Sequence, residues 1–202
     1  MSGEMRADAR RSVELVVTAA RSAIAEFGLS VSTNEIVKRA GVGPATLYRR
    51  FPSRHALLET ILLEVVGELV TEAEAAAEHP DPLTGFADLV RALAAAQSAN
   101  KGLSDALAAE SPSAGRDDEV AAAFGELRAH IRRVTERAQE AGAIRADVAW
   151  QDVPFLAGAA AGMSTRCLGL DAGEGGRDRV VAVVLAGLRA TDAEPLPGVP
   201  PS

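Results

Sequence analysis

Apolar positions recur at three- and four-residue steps along nearly the whole chain. Val13, Val16, Ala20, Ile24 and Phe27 form the first stripe, and Gly28 follows as its C-terminal cap. Ser32 and Glu35 make the S-x-x-E pattern of a capping box, opening a short helix through Ala40 that Gly41 ends. Gly43-Pro44 starts another, because proline at the first helical position forfeits no hydrogen bond. Pro52 keeps that helix brief by disfavouring helical geometry at Phe51. Ser53 can cap a fourth helix, which runs through Leu58, Ile61, Leu62, Val65, Leu69 and Ala73 towards His79. Pro80 and Pro82 end it.

From Thr84 onward the helices are longer and richer in alanine. Phe86, Val90 and Leu93 form a stripe that Gln97, Asn100 and Ser104 continue. After the loop-like AESPSAGRDD, Val120, Phe124, Leu127, Ile131, Val134 and Ala138 define an amphipathic helix. Asp152 and Pro154 resemble a helix start before FLAGAAAGM, and the Gly-rich GLDAGEGG separates this from RVVAVVLAGLRA. The tail TDAEPLPGVPPS is Pro-rich and expected to be disordered. No fixed-period repeat occurs, nor an alternating strand pattern flanked by hairpin turns. The pattern predicts an all-α protein.

Composition sharpens this. Aromatic residues are only 3% of the 202, so the core must be mainly Ala, Val and Leu, which favours close-packed helices over a β-sandwich. A single cysteine, Cys167, excludes an intrachain disulfide and fits a reducing compartment. It reads as a buried small residue, with a redox-sensing thiol as the alternative. No run approaches the roughly 20 apolar residues of a membrane span, and MSGEMRADARRS lacks the apolar centre of a signal peptide. A cytoplasmic protein without a membrane partner is expected. The net charge of -7 is unevenly spread: residues 1–60 hold nine Lys/Arg against six Asp/Glu, net +3, leaving -10 for the rest. Such a split suggests a basic contact module on an acidic body.

The two short helices, joined by a Gly-containing turn, have the layout of a helix-turn-helix. At ~100° per residue, Leu47 and Phe51 fall together and face inward. The opposite face carries Ala45, Thr46 and Arg49, flanked by Tyr48 and Arg50. These residue types suit a major groove, where Arg, hydroxyls and small apolar groups read base edges and flanking cations hold phosphates. Arg54, just after the Ser53 cap, sets a cation at a helix N-terminus, where a bound phosphate would relieve the opposing macrodipole. The competing reading is an ordinary solvated face.

The segment STNEIVKRAGVGPATLYRRFPSRHALLETIL is similar to the DNA-binding module of TetR-family (tetracycline-repressor-like) transcriptional regulators. The matching features are Thr opening the second helix, Ile before its basic end, AGV at the turn, T-L-Y followed by Phe, then Ser, a base and ALL. The resemblance covers residues from about 8 to 62. It implies phosphate contacts from Thr33, Asn34, Tyr48, Arg50 and Arg54, and base contacts from Pro44, Ala45, Thr46 and Arg49. The family often has His where Arg50 stands and Lys where Arg54 stands; both changes keep a phosphate-binding group. The expected architecture is an N-terminal three-helix helix-turn-helix DNA-binding domain (1–53) plus a C-terminal helical ligand-binding and dimerisation domain (80–190). A helix over 54–79 connects them, and 191–202 is the disordered tail.

The resemblance further implies a homodimer joined by two C-terminal helices per subunit, on a palindromic double-stranded DNA operator, released by an unknown small-molecule effector. FLAGAAAGM and VVAVVLAGL, apolar on several sides, agree with such a bundle, and Gly158 and Gly162 allow close helix approach. Intrachain packing of the same residues is the alternative. Gln97 and Asn100 are candidates for polar groups in an effector pocket, or else mark a helix end at solvent. Phe86, Leu93, Phe124, Phe155 and Met163 are candidates for its apolar walls, or ordinary core. His55, His79 and His130 with one cysteine give no metal-ligand spacing, so neither a metal nor a cofactor is expected. No nucleophile motif or polar catalytic cluster points to an enzyme. The alternatives are an activator without ligand-controlled repression, or a helical small-molecule-binding protein without DNA activity.

Overall fold

The computed structural model describes residues 2–27, 31–100, 117–162, 166–173, 175–189 and 194–201. Among them are eight helices: α1 Ser2–Phe27, α2 Thr33–Ala40, α3 Pro44–Arg50, α4 Arg54–Glu78, α5 Pro82–Ala99, α6 Asp117–Glu140, α7 Asp152–Ala161 and α8 Gly176–Leu188. The protein is all-α, apart from a small ribbon between α7 and α8, β1 Arg166–Cys167 and β2 Leu170–Asp171. Leu168 and Gly169, at φ 51° and 80°, turn that ribbon with the two left-handed residues a two-residue hairpin requires. Strands of two residues are too short to leave an alternating pattern in the sequence. No helix among the described residues is long and apolar enough to cross a membrane.

The chain gathers into two compact units, Met1–Val65 with Asn100–Ala122, and Val66–Ala99 with Ala123–Ser202. In the first, α1 packs on α2 and α3 through Val16, Val17, Ala20, Ala23 and Ile24. Ile36, Val37, Leu47, Leu57, Leu58 and Ile61 complete the core, as the three- and four-residue spacing predicts. The expected Gly28 cap lies outside the described residues.

In the second unit α5 packs on α7 and α8. Its core is built from Phe86, Leu89, Val90 and Leu93 of α5, Leu127, Ile131 and Val134 of α6, Val153 and Ala157 of α7, and Val181 and Leu185 of α8. Helix α5 begins at Pro82, two residues before Thr84, where the sequence pattern sets the start of the C-terminal helices. Pro82 takes the first helical position, and the Asp81 carboxylate accepts the N–H groups of Leu83 (3.3 Å) and Thr84 (3.2 Å) together with the Thr84 hydroxyl (2.5 Å). Those bonds, the hydroxyl first, hold the Asp81 carboxyl below its usual range.

Residues 141–151 form a junction. Arg145 donates its N–H to the Leu188 carbonyl at the end of α8 (3.0 Å) and clasps Asp147 through Nε (2.6 Å) and Nη2 (2.8 Å). Gln139 Nε2 donates to the carbonyls of Arg145 (3.1 Å) and Val148 (2.8 Å). Residues 194–201, expected to be disordered, are seated on this junction. Arg145 Nη2 donates to the Glu194 carbonyl (2.6 Å), and the Leu196 N–H donates to Asp147 Oδ2 (2.8 Å). Proline content alone does not reveal that the main-chain groups beside the prolines have partners 49 residues away.

Candidate nucleic-acid interface

Helix α2 starts as its cap predicts: Ser32 is extended (φ -79°, ψ 150°) and its hydroxyl accepts the Glu35 N–H at 3.2 Å. The reciprocal half of the capping box is replaced by another contact. Glu35 Oε1 accepts Arg39 Nε at 3.1 Å, while Arg39 Nη2 reaches Glu26 Oε2 at 2.6 Å and Nη1 reaches Ser22 Oγ at 3.4 Å. The Glu26 carboxylate first, then Glu35, raises the Arg39 pKa further above its ordinary value. Arg39 therefore ties α2 to α1 and is spoken for by carboxylates, although in the sequence it is just one more base before the turn.

Gly41 makes that turn. At φ 64° it adopts the left-handed conformation that favours glycine, and its N–H bonds the Lys38 carbonyl. Gly43 then flanks α3 in extended geometry, with Pro44 at the first helical position. Leu47 is 2% exposed and Phe51 5%, so these two side chains pin α3 to the core. Phe51 ends the helix at φ -122°, the extended region that Pro52 imposes, with its N–H on the Leu47 carbonyl at 2.8 Å. Pro44, Ala45, Tyr48, Arg49 and Arg50 are exposed, and Thr46 is half-buried. Among the described residues, Arg49 and Arg50 have no carboxylate partner. On α2, Asn34 is exposed and Thr33 half-buried.

Ser53 caps α4 by accepting the Ala56 N–H at 3.1 Å. Arg54 also has a contact within the fold: its Nη1 donates to the Val31 carbonyl at 3.1 Å. This bond braces the start of α4 against the segment leading into α2, a fold role that sequence spacing does not reveal. His55 and Glu59 form a pair for which the sequence pattern assigns no role. Both are buried one turn apart on α4, with Nε2 and Oε1 3.2 Å apart. Their signal is two ionisable residues at i and i+4 on the same stripe as Leu58 and Leu62.

The profile of bacterial regulatory proteins of the tetR family matches residues 16–61, and that of the SbtR-like transcriptional regulator C-terminal domain matches residues 81–190. The chain belongs to the TetR family of transcriptional regulators. Members of this family are non-enzymatic DNA-binding proteins, and α2, the Gly41 turn and α3 lie within the residues that the tetR-family profile matches. A TetR transcription regulatory protein from Mycobacterium vanbaalenii has 29% identity and a TM-score of 0.67, over 92% of this chain and 99% of that one. The TetR regulator SCO0520 from Streptomyces coelicolor has 27% identity and a TM-score of 0.65, over 89% and 99%. The fatty acid degradation regulator FadR from Bacillus halodurans shares the fold at 17% identity, with a TM-score of 0.57 over 87% and 99%. A search of curated proteins finds no match.

In the TetR-type C-terminal region the effector-pocket candidates scatter. Phe86 and Leu93 are packed in the core, Phe124 and Asn100 are half-buried, and Met163 lies outside the described residues. Phe155 points outward at 68% exposure. Gln97 is exposed, yet its Nε2 donates to the Pro154 carbonyl of α7 at 3.1 Å. Gly158 makes room for this amide: a Cβ there would stand 2.6 Å from Gln97 Oε1. At Gly158 the small residue thus serves packing within the chain, one of the two readings its sequence left open.

Proposed function

We propose that this protein is a homodimeric repressor that reads a palindromic operator through two α3 helices and is released by a small-molecule effector. The observation that carries the DNA side is the division of α3 into two buried pins, Leu47 and Phe51, and an outward face of Pro44, Ala45, Tyr48, Arg49 and Arg50. In this reading Pro44, Ala45, Thr46 and Arg49 meet base edges, while Thr33, Asn34, Tyr48, Arg50 and Arg54 hold phosphates. Residues 1–53 form the reading head, 54–79 the connecting helix and 80–190 the effector and dimer domain. The DNA partner puts the protein's work in the cytoplasm.

The dimer is supported by helix faces left apolar after the core is filled. On α7, Val153, Ala157 and Ala160 are buried, while Phe155 and Ala159 face out. On α8, Val181, Leu185 and Leu188 are buried, while Ala182, Val183 and Ala186 face out. A helix apolar all round needs a second covering surface. Two-fold symmetry would set the reading heads about 34–36 Å apart, one DNA turn. An effector entering between α5 and α7 would compete for the Gln97 amide, and preference for the arrangement with misplaced heads would lower operator affinity.

A gel-shift titration against the DNA upstream of the encoding gene tests the reading. Arg49→Ala is expected to alter sequence preference. Absence of binding to any duplex above background at low salt would sink it. The effector arm is a thermal-shift screen of small molecules repeated on Gln97→Leu. Hits should also release the operator and lose their shift in the variant.

A further inference from the structure

The apolar surface of α7 and α8 continues beyond the helices. After Glu194, residues 195–202 carry no charged side chain, and their docking uses the main chain, through the Glu194 carbonyl and the Leu196 N–H on the Arg145–Asp147 clasp. Held there, the segment forms one wall of an open groove of about 360 Å³, with Phe155 and Leu156 of α7 and Leu188 of α8 opposite Leu196, Pro197 and Val199. Phe155 is 68% exposed and Val199 92%.

We infer that residues 194–201 are an arm of the dimer interface, and that the groove they form with α7 receives apolar side chains of a second copy of this chain. The inference rests on the homodimer proposed above and extends it to a segment outside the helical bundle. Continuity argues for this occupant, because Phe155 belongs both to the groove and to the outward face of α7. The groove's two carboxylates argue against a cationic ligand. Asp147 is engaged by Arg145 and the Leu196 N–H, and Asp152 accepts the Ala149 N–H at 2.9 Å. Beyond Glu194 at its base, the arm likewise carries no charged side chain for an acidic or basic protein to engage. Two-fold symmetry brings both copies of a self-complementary patch into one interface, so the arm's contact would occur twice per dimer.

Sedimentation equilibrium on the full chain, Phe155→Asp, Val199→Asp and a chain ending at Ala193 provides the test. Because Val199 is 92% exposed, a charge there leaves the protomer's own packing untouched, and an unchanged melting profile checks this. The expected result is a dimeric wild type, a monomeric Phe155→Asp at micromolar concentration, and dissociation constants raised at least tenfold by Val199→Asp and by the truncation. If those two dimerise as tightly as wild type while Phe155→Asp does not, the arm is refuted and the helix-face dimer stands. A monomeric wild type overturns both.

Discussion

Helices α3 and α7 are both short, and both bury one side, but they leave opposite chemistry facing out. On α3 the outward side carries Tyr48, Arg49 and Arg50 over two pins, Leu47 and Phe51. On α7 it carries Phe155 and Ala159 over Val153, Ala157 and Ala160. Cations on a face with no carboxylate partner among the described residues suit a polyanion, whereas an apolar face needs another apolar face. In each case the informative residue is the one the core does not use.

The largest effect that would break this contrast is loss of a pin. Leu47→Ala should destabilise the protein by about 3 kcal/mol, through lost transfer energy and a residual cavity, and should abolish operator binding. Urea denaturation monitored by circular dichroism measures it; a loss under 1 kcal/mol would mean that α3 is not held by its pins. Next comes the outward face itself. Arg50→Ala should weaken all duplexes alike and reduce the slope of log affinity against log salt by about 1, with unchanged sequence preference, read by anisotropy titrations at several salt concentrations. Arg50 is the cleaner probe than Arg54, whose replacement also removes the brace on Val31.

A smaller effect sharpens the α7 side. Gly158→Ala displaces the Gln97 amide, losing about 1 kcal/mol of hydrogen bonding, while alanine in place of glycine returns about 1 kcal/mol of helix propensity. Thermal denaturation should therefore find it within about 1 kcal/mol of wild type, and nearly additive changes with Gln97→Leu would show that the two residues do not interact. The smallest effect concerns the clasp. Arg145, with the Leu196 N–H, lowers the Asp147 carboxyl from 3.8 to about 2. A depressed carboxylate contributes stability above its unfolded pKa and loses it as pH falls through the folded value. Amide exchange at Leu196 should thus stay protected down to about pH 4 and lose protection between there and about pH 2.

Much of this was legible in the sequence. Ser32, Gly41, Pro44, Pro52 and Ser53 act where their backbone preferences put them, because caps and turns are decided within four residues. The spacing of Leu47 and Phe51 gave the orientation of α3 for the same local reason. What stayed hidden depends on partners distant along the chain. Arg39 became a tie because Glu26 lies 13 residues back, and Arg54 a brace because Val31 lies 23 back. Gln97 found the Pro154 carbonyl 57 residues on, a contact between helices that spacing along α5 does not show. The buried His55–Glu59 pair is local, and its i, i+4 spacing on the apolar stripe of α4 is a signal the sequence does carry.

The seating of residues 194–201 has a consequence for how this segment can vary. Its anchors are a carbonyl and an N–H, groups that nearly every residue type supplies. Side chains there can drift without unseating the chain, so long as no proline replaces Leu196 and removes its donor. Length is another matter. Leu188 is fixed by Arg145 at one end and Leu196 by Asp147 at the other, so an insertion or deletion in residues 189–195 changes which main-chain groups meet the clasp. Among relatives, this stretch should tolerate substitution freely and resist changes in length.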